Sequence, residues 1–238
     1  MAPFVFAHAE SVSGSGVPSG TTTLLPVWAG LQDGDFIIWD YAAAYVGTNL
    51  SWTFDNIPSG TSALEVCHDN PGLVVYDHQL LYSFLGITAA DHLALDNYEV
   101  TIISDSVVSY VASYVVYRPL ILGPTAVTTV EVSGCDSAVS PAAVSSGPVG
   151  DLIVRGIATS GSATSITSPA GHTERVLQFE SGNAHAIVDS ELLPAATWTT
   201  DGTILMGAWT IGFGRGTVPP RTTGEAHLHI PHKDWARG

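Results

Sequence analysis

Two Gly-Asp turns each run straight into an apolar, largely β-branched stretch, GDFII at 34–38 and GDLIV at 150–154. Glycine and aspartate supply the turn, and the β-branched run after it suits a pleated, buried surface better than a helix. The segments downstream of the two turns also match in order and character. After the first come LSWTFDNIPSG, LVVYDHQLL and YVASYVVYRP; after the second come TSITSPAGHTER, HAIVDSELL and LMGAWTIGFG. Aligning Asp35 with Asp151, Asp77 with Asp189 and Tyr114 with Trp209 leaves the first half longer, mostly around YSFLGITAADHLALDNYEV. The chain therefore reads as two sequence-related halves, about 17–119 and 148–214, joined by a crossover at 120–147.

Period-two alternation between turn signals dominates, and helical periodicity is nearly absent. In NLSWTFDNI, Leu50, Trp52 and Phe54 share one face while Ser51, Thr53 and Asp55 take the other. SVVSYVASYVVYRPL carries Val and Tyr on both faces, as expected of a central strand covered on both sides, and stops at Pro119. Only TAADHLALDN offers a helical turn or two. Neither half is expected to hide its apolar face alone. Two sheets of four or five strands, one from each half, are expected to pack face to face around one core. The expected fold is all-β, a jelly-roll-like two-sheet β-sandwich over residues 1–214, with an irregular C-terminal tail at 215–238.

Charge narrows the function classes. Residues 1–214 hold only Arg118, Arg155 and Arg175 against 20 carboxylates, while residues 215–238 hold Arg215, Arg221, Lys233 and Arg237 against Glu225 and Asp234. Nucleic-acid binding needs clustered cations that the body lacks. The basic tail suits docking on an acidic body, its own or a neighbour's; a frayed terminus is the alternative. No apolar run approaches the roughly 18 to 20 residues of a membrane span. The opening MAPFVFAHAESV lacks a basic start and reads as a first strand rather than a leader.

Candidate chemistry is sparse. Cys67 and Cys135 match no metal spacing and read as two buried thiols, a single bridge being the alternative. No nucleophile elbow, zinc-protease helix or phosphate loop is present. His68-Asp69, Asp77-His78 and Asp91-His92 have acid–base composition, but neighbours on a strand point to opposite faces and do not cooperate. DGD at 33–35 and DG at 201–202 carry oxygen ligands suited to Ca²⁺, yet Asp before Gly more simply makes a turn. His227 and His229 in HLHIPH would share a strand face and could form a metal ring in a threefold assembly; solvated imidazoles are the plainer reading. Trp28, Tyr41, Tyr45 and Trp52 cluster near the first turn-strand unit, as core or as a sugar platform. No residue is assigned a catalytic, cofactor-binding or metal-binding role.

VPSG…GLQDGDFII, VVYRPL at 115–120, the GDLIV restart and the PAGHTER turn at 169–175 resemble the duplicated β-sandwich domains of minor tail and tail-tip structural proteins of tailed bacteriophages that infect actinobacteria. The resemblance covers about residues 17–214 and departs at the first turn, where LSWTFDNIPSG replaces a PAGWT-like sequence. It implies a non-enzymatic virion protein, assembled in the host cytoplasm with other tail proteins, and in three- or sixfold homo-oligomers. Its tail would be an assembly segment. The protein would hold the tip together or contact the host envelope. The competing expectations are a carbohydrate-binding jelly-roll module and a capsid decoration protein; a polysaccharide-degrading sandwich would need two converging carboxylates.

Overall fold

The computed structural model describes residues 4–47, 49–69, 74–120, 125–132, 135, 144–146, 151–161, 163–180, 183–191, 195–201 and 204–215. The tail expectations, with His227 and His229, fall outside them, as do much of the 120–147 crossover and Gly202.

The first half contributes β1 (Phe4–Val17), β2 (Thr21–Pro26), β3 (Phe36–Val46), β4 (Leu50–Asp55), β5 (Thr61–Asp69) and β6 (Val74–Ser83). A short helix α1 (Ala89–Leu93) comes next, then β7 (Asn97–Ser104) and β8 (Val108–Pro119). The helix lies within TAADHLALDN, where the sequence allows one. Antiparallel pairing builds a five-stranded sheet in the order β1-β8-β3-β6-β5 and a three-stranded sheet β2-β7-β4. Strands β1 to β5 alternate between the two sheets, β6 stays beside β5 in the larger one, and β7 and β8 alternate again, a jelly-roll-like order.

The second half contains β9 (Thr125–Val132), β10 (Val144–Ser146), β11 (Leu152–Gly161), β12 (Ile166–Thr167) and β13 (Thr173–Glu180). It continues with β14 (Asn183–Ser190), β15 (Ala195–Thr197), β16 (Thr199–Thr200) and β17 (Ile204–Arg215). Its five-stranded sheet runs β13-β14-β11-β17-β9, and the short pairs β10-β15 and β12-β16 make its outer layer. Taken from the other edge, the first half's sheet reads β5-β6-β3-β8-β1, strand for strand the same order.

The two five-stranded sheets pack face to face, β1 against β13, β3 against β11 and β14, and β5 against β17. This is the all-β sandwich the sequence leads one to expect. Its single shared core is the part that needs correction. Phe36, Ile38, Tyr117, Val154, Ile187, Ile211 and Phe213 form the core between the halves. A second core in the first half, including Trp39, Tyr41, Trp52, Tyr98 and Tyr114, lies on the other face of its five-stranded sheet. A third, with Ile157, Ala186, Trp198 and Met206, lies on the outer face of the second. Each half thus buries an apolar face of its own, and the core between the halves joins them.

Layering explains the strands that lack alternation. In FIIWDYAAAYV of β3, Phe36 and Ile38 face the other half, while Ile37, Trp39 and Tyr41 face the first half's outer sheet. β8 divides in the same way, with Val115 and Tyr117 inward and Tyr114 and Val116 outward. A strand covered on both faces reads as a continuous apolar run. The β4 strand, with one face to solvent, keeps the alternation expected of it, Leu50 and Trp52 in and Ser51 and Thr53 out.

Registers also bear on how the halves match. With Asp35 aligned on Asp151, Asp40 falls on Gly156; Asp40 pairs with Ser113 across β3 and β8, and Gly156 with Trp209 across β11 and β17. Trp209 therefore takes the position of Ser113, not of Tyr114; a one-residue slip in a strand moves a side chain to the other face. Ala42 pairs with His78, and Ala158 with His185. The counterpart of His185 is thus His78, and Asp77 and Asp189 are not equivalent.

Candidate functional site

An acid and two histidines from both halves meet at the centre of the seam between them. β3 turns Asp40 toward the second half because its parity is that of Phe36 and Ile38. Its carboxylate accepts three hydrogen bonds: from His78 Nε2 to Oδ1 at 2.5 Å, from His185 Nε2 to Oδ2 at 2.7 Å, and from Trp209 Nε1 to Oδ2 at 2.8 Å. A carboxylate only accepts, so both Nε2 atoms carry hydrogen. The two imidazoles come from equivalent positions on β6 and β14 and meet on a single acid. Asp40 and His78 are completely buried and His185 nearly so.

Burial alone would raise the Asp40 pKa, because it penalises the charged form. The charges and hydrogen bonds of His78 and His185 outweigh it and hold the carboxyl well below the usual carboxylate range. Two glycines make room for the cluster. A Cβ on Gly156 would lie 2.2 Å from the Trp209 ring, and one on Gly207 would lie 2.8 Å from His78 Nδ1. His78 Nδ1 has no hydrogen-bond partner.

Ser113 Oγ stands 3.4 Å from His185 Nδ1. Ser113, His185 and Asp40 thus have the composition of a nucleophile, a base and an orienting acid. Ser113 is fully buried between the sheets, so no substrate carbonyl can reach its hydroxyl. The arrangement can brace the seam.

Further polar links cross the seam nearer its rim. Tyr117 Oη donates to Asp189 Oδ2 at 2.9 Å, and Arg175 Nε to the same oxygen at 2.7 Å. The Arg175 guanidinium also lies 4.4 Å from the centre of the Phe6 ring. Ser13 Oγ donates to Glu180 Oε2, and Asn183 Nδ2 to the Ser109 carbonyl. Arg175 closes the PAGHTER turn. Within it, Gly171 takes the positive φ of 78° that a glycine tolerates. His172 is held by Arg155, whose Nη1 lies 2.6 Å from its Nε2. Burial, then the neighbouring guanidinium, lowers the His172 pKa.

The adjacent pairs on strands, His68-Asp69 in β5 and Asp77-His78 in β6, point apart as strand geometry requires, whereas Asp91 and His92 lie in α1. His68 Nδ1 meets Asp77 Oδ2 across the β5–β6 ladder at 3.0 Å rather than Asp69. His78 turns to Asp40 and away from Asp77. His92 Nδ1 lies 2.9 Å from Tyr98 Oη and its ring stacks on Trp39; burial lowers its pKa to about 4.

The calcium and sugar candidates are occupied otherwise. Asp33 Oδ1 accepts from the Ala89 amide, at the start of α1. Asp35 holds both Nε and Nη2 of Arg118 at 2.8 Å. Asp201 accepts from the amides of Thr164 and Ser165 and from the Thr164 hydroxyl, which lowers its pKa to about 2. Among the described residues no three His, Cys, Asp or Glu side chains are grouped to hold a metal ion. Tyr41, Tyr45 and Trp52, candidates for an exposed platform, are buried core residues. Trp28 is half-buried, with His8 stacked on it at 4.9 Å and Arg118 over its ring. Cys67 and Cys135, expected as separate thiols, are joined in a disulfide.

Sequence reasoning missed the central cluster, though a signal was present. Asp40 is the one charged residue within an otherwise apolar eleven-residue strand. His78 and His185 became legible only through the strand registers. No helix among the described residues is long and apolar enough to cross a membrane. No protein-family model matches the chain, and comparison with curated proteins and with solved structures finds no match either.

Proposed function

We propose that the chain is a non-enzymatic structural protein of a bacteriophage virion, a minor tail protein at or near the tail tip. The observation that carries the structural part of this reading is the sealed cluster. The side chains with the composition for catalysis are spent on bonding one half to the other, beyond the reach of a substrate. The tail assignment rests on the PAGHTER, VVYRPL, GDFII and GDLIV resemblance. The strand order common to the two five-stranded sheets supports the duplicated domain that this resemblance implies. In this reading the protein acts with other tail proteins, as a three- or sixfold homo-oligomer, and residues 215–238 are its assembly segment.

Immunogold labelling of purified particles with antibody to the chain tests the address. Gold at the tail end is the expected result. Label over the capsid would replace the tail assignment with a decoration role, and unlabelled particles would remove the virion altogether. A chain ending at Arg215 is expected to remain folded but to be missing from particles; its normal incorporation would dispose of the assembly segment.

A further inference from the structure

The two rims of the central sandwich are closed in different ways. On the rim where β1 lies against β13, Ser13 bonds Glu180 and Arg175 covers Phe6. On the other rim, the Cys67–Cys135 disulfide ties β5, the edge of the first half's sheet, to the segment leaving β9, the edge of the second half's sheet. The Cys67 side chain is buried with Ala158 and Leu205 of the second half, whereas Cys135 is exposed. Cys67 thus lies in the seam and Cys135 at the surface, with their Cα atoms 4.7 Å apart.

We propose that this bond is a lock set by the redox environment: the halves fold together with both thiols reduced, and the bond closes when the chain enters an oxidising medium. The seam does not depend on it for cohesion. The core between the halves and the three bonds to Asp40 are complete without either sulfur. A reducing cytoplasm keeps such thiols open, and disulfides persist outside it.

Exposure sets the order of events. The Cys135 thiolate attacks a small disulfide, such as oxidised glutathione, forming a mixed disulfide and releasing one glutathione thiolate. The Cys67 thiolate, shielded from solvent, then attacks the Cys135 sulfur and expels the second glutathione. The two protein thiols are oxidised, the glutathione disulfide is reduced, and the two thiol protons pass to the departing thiolates. Closing a loop between cysteines 68 residues apart makes the folded state about a thousandfold more favoured over the unfolded one on chain entropy.

The place where oxidation occurs, outside the host cell, rests on the virion reading; the lock itself does not. The full-length chain, made in a reducing bacterial cytoplasm, would be acid-quenched, denatured and labelled with a maleimide mass tag. Two labels are expected, together with protease resistance before quenching. Adding oxidised glutathione to the folded chain is expected to reduce the labels to none, to release two glutathiones per chain, and to lower the unfolding constant in urea by about a thousandfold. Cys135→Ser, a change at an exposed site, should keep one label throughout and unfold like the reduced chain in either medium. Cysteines already joined in the fresh lysate, a reduced chain that is protease-sensitive, or a change in the unfolding constant below tenfold would each overturn the proposal. Loss of gold label at the tail with the lock intact would remove only the address.

Discussion

Replacing Asp40 with asparagine keeps the volume of the side chain and removes its charge. In the folded protein the carboxylate takes three donors, two imidazole N–H groups and an indole N–H, at 2.5 to 2.8 Å. A hydrogen bond to a charged group is worth about 1 kcal/mol more than a neutral one, so neutralising the acceptor costs about 3 kcal/mol over three bonds. The carboxamide also has one acceptor oxygen where the carboxylate has two. If that oxygen stays with His185 and Trp209, the amide N–H₂ is left facing His78 Nε2, which carries a hydrogen of its own, and that donor loses its acceptor. Relief of the buried charge works in the opposite direction, since desolvating a carboxylate is expensive. The expected net loss for Asp40→Asn is about 3 kcal/mol, within the range for breaking a buried ion pair, and a factor of about 100 or more in the unfolding constant. Urea unfolding at pH 7, followed by tryptophan fluorescence with both proteins in the same redox state, measures it. The folded-state pKa of Asp40 is depressed, so its contribution is complete above the unfolded value of about 4 and fades as the pH falls below it. The gap between the two proteins should therefore narrow only below about pH 4. A variant within about 1 kcal/mol of the parent at pH 7 would show that desolvation cancels the three bonds, and the cluster would lose its part as the brace of the seam.

Three other changes test the same geometry. Gly156→Ala puts a methyl group into the Trp209 ring and should cost about 2 kcal/mol or more by overpacking, with a changed near-ultraviolet dichroism from the displaced indole; an unchanged spectrum and stability would contradict the contact. Tyr41→Phe removes a buried hydroxyl that has no partner, so the variant should be as stable as the parent or more so, by up to about 1 kcal/mol; a clear loss would mean that the hydroxyl is bonded. His92 is neutral in the fold with a pKa lowered to about 4 from 6.5, so the unfolded chain binds the extra proton between these values and stability should fall as the pH drops from about 6.5 to 4. His92→Phe keeps a ring against Trp39 and should flatten that limb of the stability–pH curve; parallel curves for the two proteins would refute the assignment.

Local pattern and long-range pairing divide what could be read in advance. The alternation in NLSWTFDNI, the two-faced run in SVVSYVASYVVYRPL and the single helical stretch are consequences of backbone period and side-chain character, and all three reappear in β4, β8 and α1. These features needed no knowledge of which strand lies beside which. The all-β class and the two large facing sheets come from the same kind of information. The number of cores did not. Ile37 and Ile38 are equally apolar, and only the layering assigns one to the first half's own core and the other to the seam. Tyr41 and Tyr45 read from sequence as core or as a sugar platform, and the layering decides for core, since a short outer sheet covers the face they occupy.

The functional cluster lies at the far end of this division. Composition, turn chemistry and period two determine that this chain is a strand-built sandwich with an acidic body, because they act between residues close in sequence. Asp40, His78, His185 and Trp209 are spread over most of the chain, and only the registers of β3, β6, β14 and β17 bring them within hydrogen-bond reach. The same holds for Cys67 and Cys135. The tertiary structure decided the brace and the lock, because a contact between distant residues depends on where whole sheets come to rest, and no short stretch of sequence carries that information.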